Sequence, residues 1–211
     1  MKRRNLPRPL AALVAAGICA ALLGACGGSS KPSSTRSSTG AAALNAPGEL
    51  NPPTPAADFA LRNSRGQLVR LSQYRGKAVL LTFLYSHCPD VCPLIVSQLR
   101  NALLKLGTKA SRVQIVAVSV DPGRDTSKAV NSFLAARDMT GRMAFLIGSK
   151  EQLARVWKAY GIQVEATREQ REVGHTGLVY GITASGKRRA LYPANFQPSW
   201  IVHDVPILAS A

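Results

Sequence analysis

The chain has 211 residues, enough for one ordinary domain plus attachments, and 46% of them are hydrophobic against 18% charged. That balance is globular and excludes a wholly disordered protein, and four cysteines are too few for a disulfide-built scaffold. The formal charge of +16 fits an anionic membrane or an acidic partner protein. Nucleic acid is not expected as a partner, because the basic residues after Arg62 are scattered and no nucleic-acid motif is present.

Residues 1–9 are basic, and Leu10–Leu23 is an apolar run of 14 residues. As a helix it would be ~21 Å long, short of the ~30 Å hydrocarbon core of a bilayer, so it reads as the apolar part of a signal peptide. It leads into Leu23-Gly24-Ala25-Cys26, which resembles the lipobox of bacterial lipoproteins, where the cysteine becomes the lipidated first residue. Residues 1–25 are therefore expected to be a lipoprotein signal peptide carrying away Cys19, with Cys26 as lipid anchor. An ordinary secretory leader with an incidental cysteine is the alternative, and either sends the protein outside the cytoplasm. From Cys26 to Pro55 the chain is rich in Ser, Gly, Ala and Pro and reads as a disordered tether with an end-to-end distance of ~30 Å.

Residues 56–211 read as one α/β domain. Phe59–Leu61 and Leu68–Leu71 flank a turn-rich Asn63-Ser64-Arg65-Gly66, which suggests a hairpin. Ala78–Leu84 is an apolar run of the kind buried on both faces of a sheet. Leu94–Leu106 has helical spacing and a stop at Gly107. Val113–Val120 is a second buried strand, Thr126–Arg137 a helix capped by Thr126, Met143–Ile147 a strand, and Ser149–Tyr160 a helix capped by Ser149 and ended by Gly161. Thr176–Ile182 and Lys187–Tyr192 form a closing hairpin, and residues 197–208 a last helix that Pro206 is expected to shorten. Such alternation argues for a central sheet flanked by helices.

The chemistry concentrates in Ser86-His87-Cys88-Pro89-Asp90-Val91-Cys92-Pro93, between the most apolar strand and a helix. Open α/β sheets place their sites at such turns. Pro89 and Pro93 both suit a helical first turn, so the start of the helix stays open between them. Either choice puts both sulfurs near a helix N-terminus, which favours thiolate over thiol. Cysteines four apart would share one face of a helical turn, with Cβ atoms ~5–6 Å apart. That spacing suits two thiolates on one metal ion and equally a disulfide after modest movement.

Cys-Pro-Asp-Val-Cys-Pro after an apolar strand, then Val118-Ser119-Val120-Asp121-Pro122 with Arg124-Asp125-Thr126, then Gly174-His175-Thr176-Gly177, together resemble the Sco/SenC family over roughly residues 55–208. The resemblance implies a thioredoxin-like fold with a mixed sheet, and a copper site made by Cys88, Cys92 and His175. It implies a metallochaperone, not strictly an enzyme, and with the lipobox the expectation is a monomer anchored to the membrane on the extracytoplasmic face of a bacterial envelope. Its cargo would be Cu(I) or Cu(II), and its acceptor the cytochrome c oxidase subunit carrying the binuclear copper centre. The alternative is a thiol–disulfide oxidoreductase using Cys88 and Cys92 as a redox pair. A peroxiredoxin-like peroxidase is excluded, since Cys88 lacks the Pro-x-x-x-Thr-x-x-Cys context.

The remaining residues divide by chemistry. Soft thiolates suit Cu(I), and an imidazole extends the set to Cu(II) or zinc. His87 adjoins Cys88 and is expected to tune the thiolate instead of binding metal, while His203, beside Trp200 and Asp204, is expected to be a surface or packing residue. Asp121 and Asp125 either orient the metal loop or a partner, or serve as turn and capping residues. Asp90 is expected to face solvent and add negative charge beside a cation. Trp157 and Trp200 read as packing residues.

Overall fold

Ala78–Leu84 holds six apolar residues and one threonine, too apolar to lie on a surface and too short for a globular helix. In the computed structural model, which describes residues 42–164 and 177–211, this run is the central strand of an eight-stranded sheet. The strands are β1 (Gly48–Pro55), β2 (Ala60–Asn63), β3 (Leu68–Arg70), β4 (Ala78–Leu84), β5 (Val113–Ser119), β6 (Met143–Ile147), β7 (Leu178–Ile182) and β8 (Lys187–Pro193). The helices are α1 (Val91–Leu106), α2 (Ser127–Ala135), α3 (Lys150–Tyr160) and α4 (Pro198–Leu208). The sheet order is β1-β8-β7-β4-β5-β6-β2-β3, with β4, β5 and β6 parallel and the other pairs antiparallel.

Every residue of β4 is buried, and its one polar side chain is satisfied because Thr82 Oγ1 donates to the Leu178 carbonyl at 2.9 Å. The two faces of the sheet are covered unequally. Gly181 lies under Leu208 of α4, where a Cβ would come within 3.0 Å, and α4 packs along α1. Phe133 of α2 meets Phe145 edge-on, on the same face by strand register. On the other face Tyr160 of α3 packs against Phe83 and Tyr180. Two consecutive crossovers in the same direction, β4-α1-β5 and β5-α2-β6, account for α1 and α2 sharing a face.

Local capping agrees with the sequence. Thr126 accepts from the Ala129 N–H, Ser149 and Gln152 form a capping box, and Gly161 takes the left-handed conformation at φ 68° that closes α3. Pro206 does not shorten the last helix, which runs to Leu208. The end of that helix is held from outside: the Ala184 N–H donates to the Leu208 carbonyl and the Ser185 N–H to that of Ala211. Tertiary donors there do what the helix's own bonds cannot.

The larger correction concerns the tether. Residues 48–55, which composition assigns to it, form β1 and pair with β8 at the rim of the sheet. Pro52, Pro53 and Pro55 cannot donate to a ladder, but an edge strand needs donors on one side only, and its register shifts between Glu49 and Thr54. A buried carboxylate fixes the chain just before it. Asp204 of α4 accepts from the backbone N–H groups of Asn45 (2.7 Å) and Ala46 (2.9 Å) and from the Tyr192 hydroxyl (2.8 Å). Arg189, also buried, donates to the Ala42 carbonyl at 2.7 Å and pairs with Glu49. Replacing Asp204 by alanine leaves buried donors without an acceptor, each costing ~1–3 kcal/mol. Asp204→Ala is expected to lower urea-unfolding stability by about 2–4 kcal/mol and to speed amide exchange at residues 45–50 in particular.

Candidate functional site

β4 ends at Leu84, and α1 begins at Val91 with Asp90 as its N-cap. Neither proline is the first helical residue. Pro93 sits third, inside the first turn, where a missing N–H has no intrahelical partner to lose. Cys88 therefore precedes the helix and Cys92 lies within its first turn, so the pair does not share one helical face as its spacing suggests. The sulfurs are brought together by another route. Asp90 gives no side-chain cap, and the Cys92 N–H donates instead to Cys88 Sγ at 3.3 Å. Cys88 occupies the acceptor place that a capping oxygen usually takes.

Both cysteines are buried, Cys88 6% and Cys92 0% exposed, and no disulfide joins them. They ionise very differently. The Cys92 thiol donates to the Cys88 sulfur, and together with the backbone N–H groups of Asp90 and Cys92 and the Tyr85 hydroxyl it brings Cys88 down to about 6 against the opposing effect of burial. The same sulfur–sulfur hydrogen bond, then burial, push Cys92 far up. At neutral pH the pair is one thiolate and one thiol.

The loop that carries Cys88 is held by Asp125. This carboxylate, 4% exposed, accepts from the Ser86 N–H at 2.8 Å and from the Ser86 hydroxyl at 2.6 Å through one oxygen. Its other oxygen accepts from the Ser119 hydroxyl at 2.6 Å. Burial raises the Asp125 pKa, while the Ser119 and Ser86 donors oppose that. Ser119, at the end of β5, is itself framed: its Oγ accepts from the Asp121 N–H (3.1 Å) and its carbonyl from Trp157 Nε1 (2.9 Å). Asp121 pairs with Arg124. Asp125 is thus an orienting residue for the cysteine loop, one of the two roles its sequence position leaves open. Ser86 and Ser119 fall inside the motifs that the sequence singles out, but their role as donors to Asp125 is not legible there; the one signal for it is a hydroxyl at or just past the end of a central strand.

Other candidates separate clearly. His175 and Cys26 lie outside the described residues. Gly177 lies against the first residue of α1, since a Cβ there would come within 3.2 Å of Val91 Cγ2 and 3.3 Å of Ala194 Cβ. His87 is exposed, with Nδ1 3.0 Å from Ser86 Oγ. His203 is exposed on α4, with Nδ1 2.7 Å from Asp204 Oδ1. Asp90 faces solvent, Trp157 is in the core and Trp200 is half-buried against it. Among the described residues no three His, Cys, Asp or Glu converge as a metal site. A cleft of about 340 Å³ lined by Asn63, Ser64, Asn131 and Phe145 includes no residue of the cysteine loop.

The asymmetry of the pair is measurable. In the reduced protein, thiolate ultraviolet absorbance is expected to rise by one equivalent with a midpoint about pH 6, and Cys88→Ser is expected to abolish that step. Cys92→Ala removes the donated hydrogen bond and should shift the midpoint up by roughly 1–2 pH units.

Comparison with known proteins places this geometry. The SCO1/SenC family model matches residues 48–209. The mitochondrial SCO2 homolog of Bos taurus is 32% identical over 135 residues, 61% of this chain and 50% of that protein, so the chain spans about half the length of this curated relative. The solution structure of apo Sco1 from Thermus thermophilus is 33% identical, covers 77% of this chain and 95% of its own, and superposes with a TM-score of 0.64. Bradyrhizobium japonicum ScoI, solved with copper bound, is 26% identical, covers 74% and 99%, and gives 0.66. The mixed sheet flanked by helices is the thioredoxin-like fold of these structures. With the family model spanning the sheet from β1 to α4, the chain belongs to the SCO1/SenC family.

Proposed function

We propose that the chain is a copper carrier of the bacterial envelope, anchored through Cys26 and facing outward. Its cargo is held by Cys88 and Cys92 with His175 as third ligand, and is passed to the binuclear copper centre of cytochrome c oxidase. One observation carries the reading: two buried cysteines meet at the start of α1, where Cys88 Sγ accepts from the Cys92 N–H at 3.3 Å and its surroundings lower its pKa. Soft sulfur donors suit Cu(I), and their burial keeps the ion from water and stray thiols. The donor set fits this cargo on chemistry alone. Cys92 enters as a thiol, so taking up copper releases its proton to solvent. An imidazole from His175 broadens the site to Cu(II). The copper-bound state of the Bradyrhizobium relative supports the choice of ion.

The same asymmetry favours a second reading, a thiol–disulfide oxidoreductase in which Cys88 attacks and Cys92 resolves. Copper titration of the reduced protein separates the two. Cys88→Ser and Cys92→Ser should each weaken Cu(I) by more than the ~10–100-fold that losing an outer partner costs. The thiolate-to-Cu(II) charge-transfer band should vanish in Cys88→Ser and Cys92→Ser, and His175→Ala should weaken Cu(II) while leaving Cu(I) bound. Unchanged Cu(II) affinity in that variant removes His175 from the site. A wild-type protein that ignores copper yet turns over a model disulfide makes the redox reading the function.

A further inference from the structure

The carrier reading leaves open how an ion reaches sulfurs that water scarcely touches. Cys92 is fully buried and Cys88 nearly so, while His87, the residue before Cys88, is exposed, as are Pro89 and Asp90 after it; of these three only His87 carries a nitrogen donor in its side chain. Which of its ring nitrogens has a lone pair follows from proton counting. Ser86 Oγ has one hydrogen, and at 2.6 Å that hydrogen belongs to the Asp125 carboxylate, which can only accept. Toward His87 Nδ1, at 3.0 Å, the hydroxyl is therefore an acceptor, so Nδ1 holds the hydrogen. The neutral ring must then present Nε2 as a bare lone pair, and among the described residues no hydrogen-bond partner meets it.

We propose, on the basis of the carrier reading, that His87 is the landing ligand for copper. Nε2 takes the ion from its external donor and hands it to the adjacent Cys88 thiolate, after which Cys92 completes the pair. The ion keeps its oxidation state throughout: the bond from Nε2 breaks as the bond to Cys88 Sγ forms, and the Cys92 proton leaves to solvent. A single imidazole binds copper more weakly than two thiolates, so the transfer runs downhill and His87 does not retain the ion. The Asp125–Ser86 pair acts as a positioning device, fixing the tautomer in the way that outer partners fix metal-binding histidines. The exposed carboxylate of Asp90 is a poor substitute, being a hard oxygen donor.

The test uses the reduced full chain and Cu(I) presented as its bicinchoninate complex in stopped flow, with equilibrium affinity measured separately. His87→Ala should slow loading roughly tenfold with affinity unchanged, and His203→Ala, which removes another exposed imidazole, should change neither. Nitrogen-15 NMR of the metal-free protein should show the hydrogen on Nδ1 of His87. Ser86→Ala should mix the tautomers and slow loading about twofold or more, as the competent fraction falls, and Ser86→Thr should restore both. Loading by His87→Ala at the wild-type rate overturns the inference and leaves the carrier reading standing. A matching loss of affinity overturns it in favour of His87 as a resident ligand, and hydrogen on Nε2 in the wild type overturns the positioning argument. Wild-type protein that binds no copper sinks both readings together.

Discussion

The loop between β4 and α1 is short of internal support: its own backbone supplies one long hydrogen bond, from the Cys88 N–H to the Tyr85 carbonyl at 3.4 Å. What holds it is a buried anion on a different crossover. Asp125, just before α2, is costly to bury and is tolerated because donors from Ser86 and Ser119 surround it. The bond it makes is therefore mutual. The carboxylate needs the loop for its solvation, and the loop needs the carboxylate for its position. From that arrangement follow where Cys88 stands relative to α1, which way the Ser86 hydroxyl points, and how His87 is turned. The charge of Asp125 also reaches Cys92 and adds to what keeps it a thiol.

Elements whose signals are local were legible before any coordinates. Ala78–Leu84 and Met143–Ile147 have the bounds that their apolar runs suggest, and Thr126, Ser149 and Gly161 cap the helices they flank. What failed depended on distant partners. β1 looks like linker because its prolines depress strand propensity, and only β8 and Asp204, far along the chain, give it a place. The two cysteines could be picked out as a candidate pair, but not their relation, because the helix starts at Val91 and leaves Cys88 outside it. Asp125 could be read as a turn residue or an orienting one, and burial between two strand ends decides for the second. His175 rests on its motif alone.

The division of charge within the pair has a chemical meaning common to both functions considered. A low-pKa sulfur is ready to bind a soft cation or to attack a disulfide, and a protonated neighbour does not repel it. Were both ionised in the metal-free state, two anions would share a buried space with no cation between them. The shared proton gives the metal-free pair a stable form, and any cation bound by both sulfurs would displace it.

The rims of the sheet matter wherever copies of a protein are concentrated. An open strand edge is a template on which a second copy can add its own strand, and crowding makes that encounter frequent. Here one rim is β1, whose Pro52, Pro53 and Pro55 interrupt its donors, and the other is β3, only three residues long. Neither offers the regular ladder that fibre growth requires, so the prolines that disguise β1 as linker also guard the fold against edge-to-edge polymerisation.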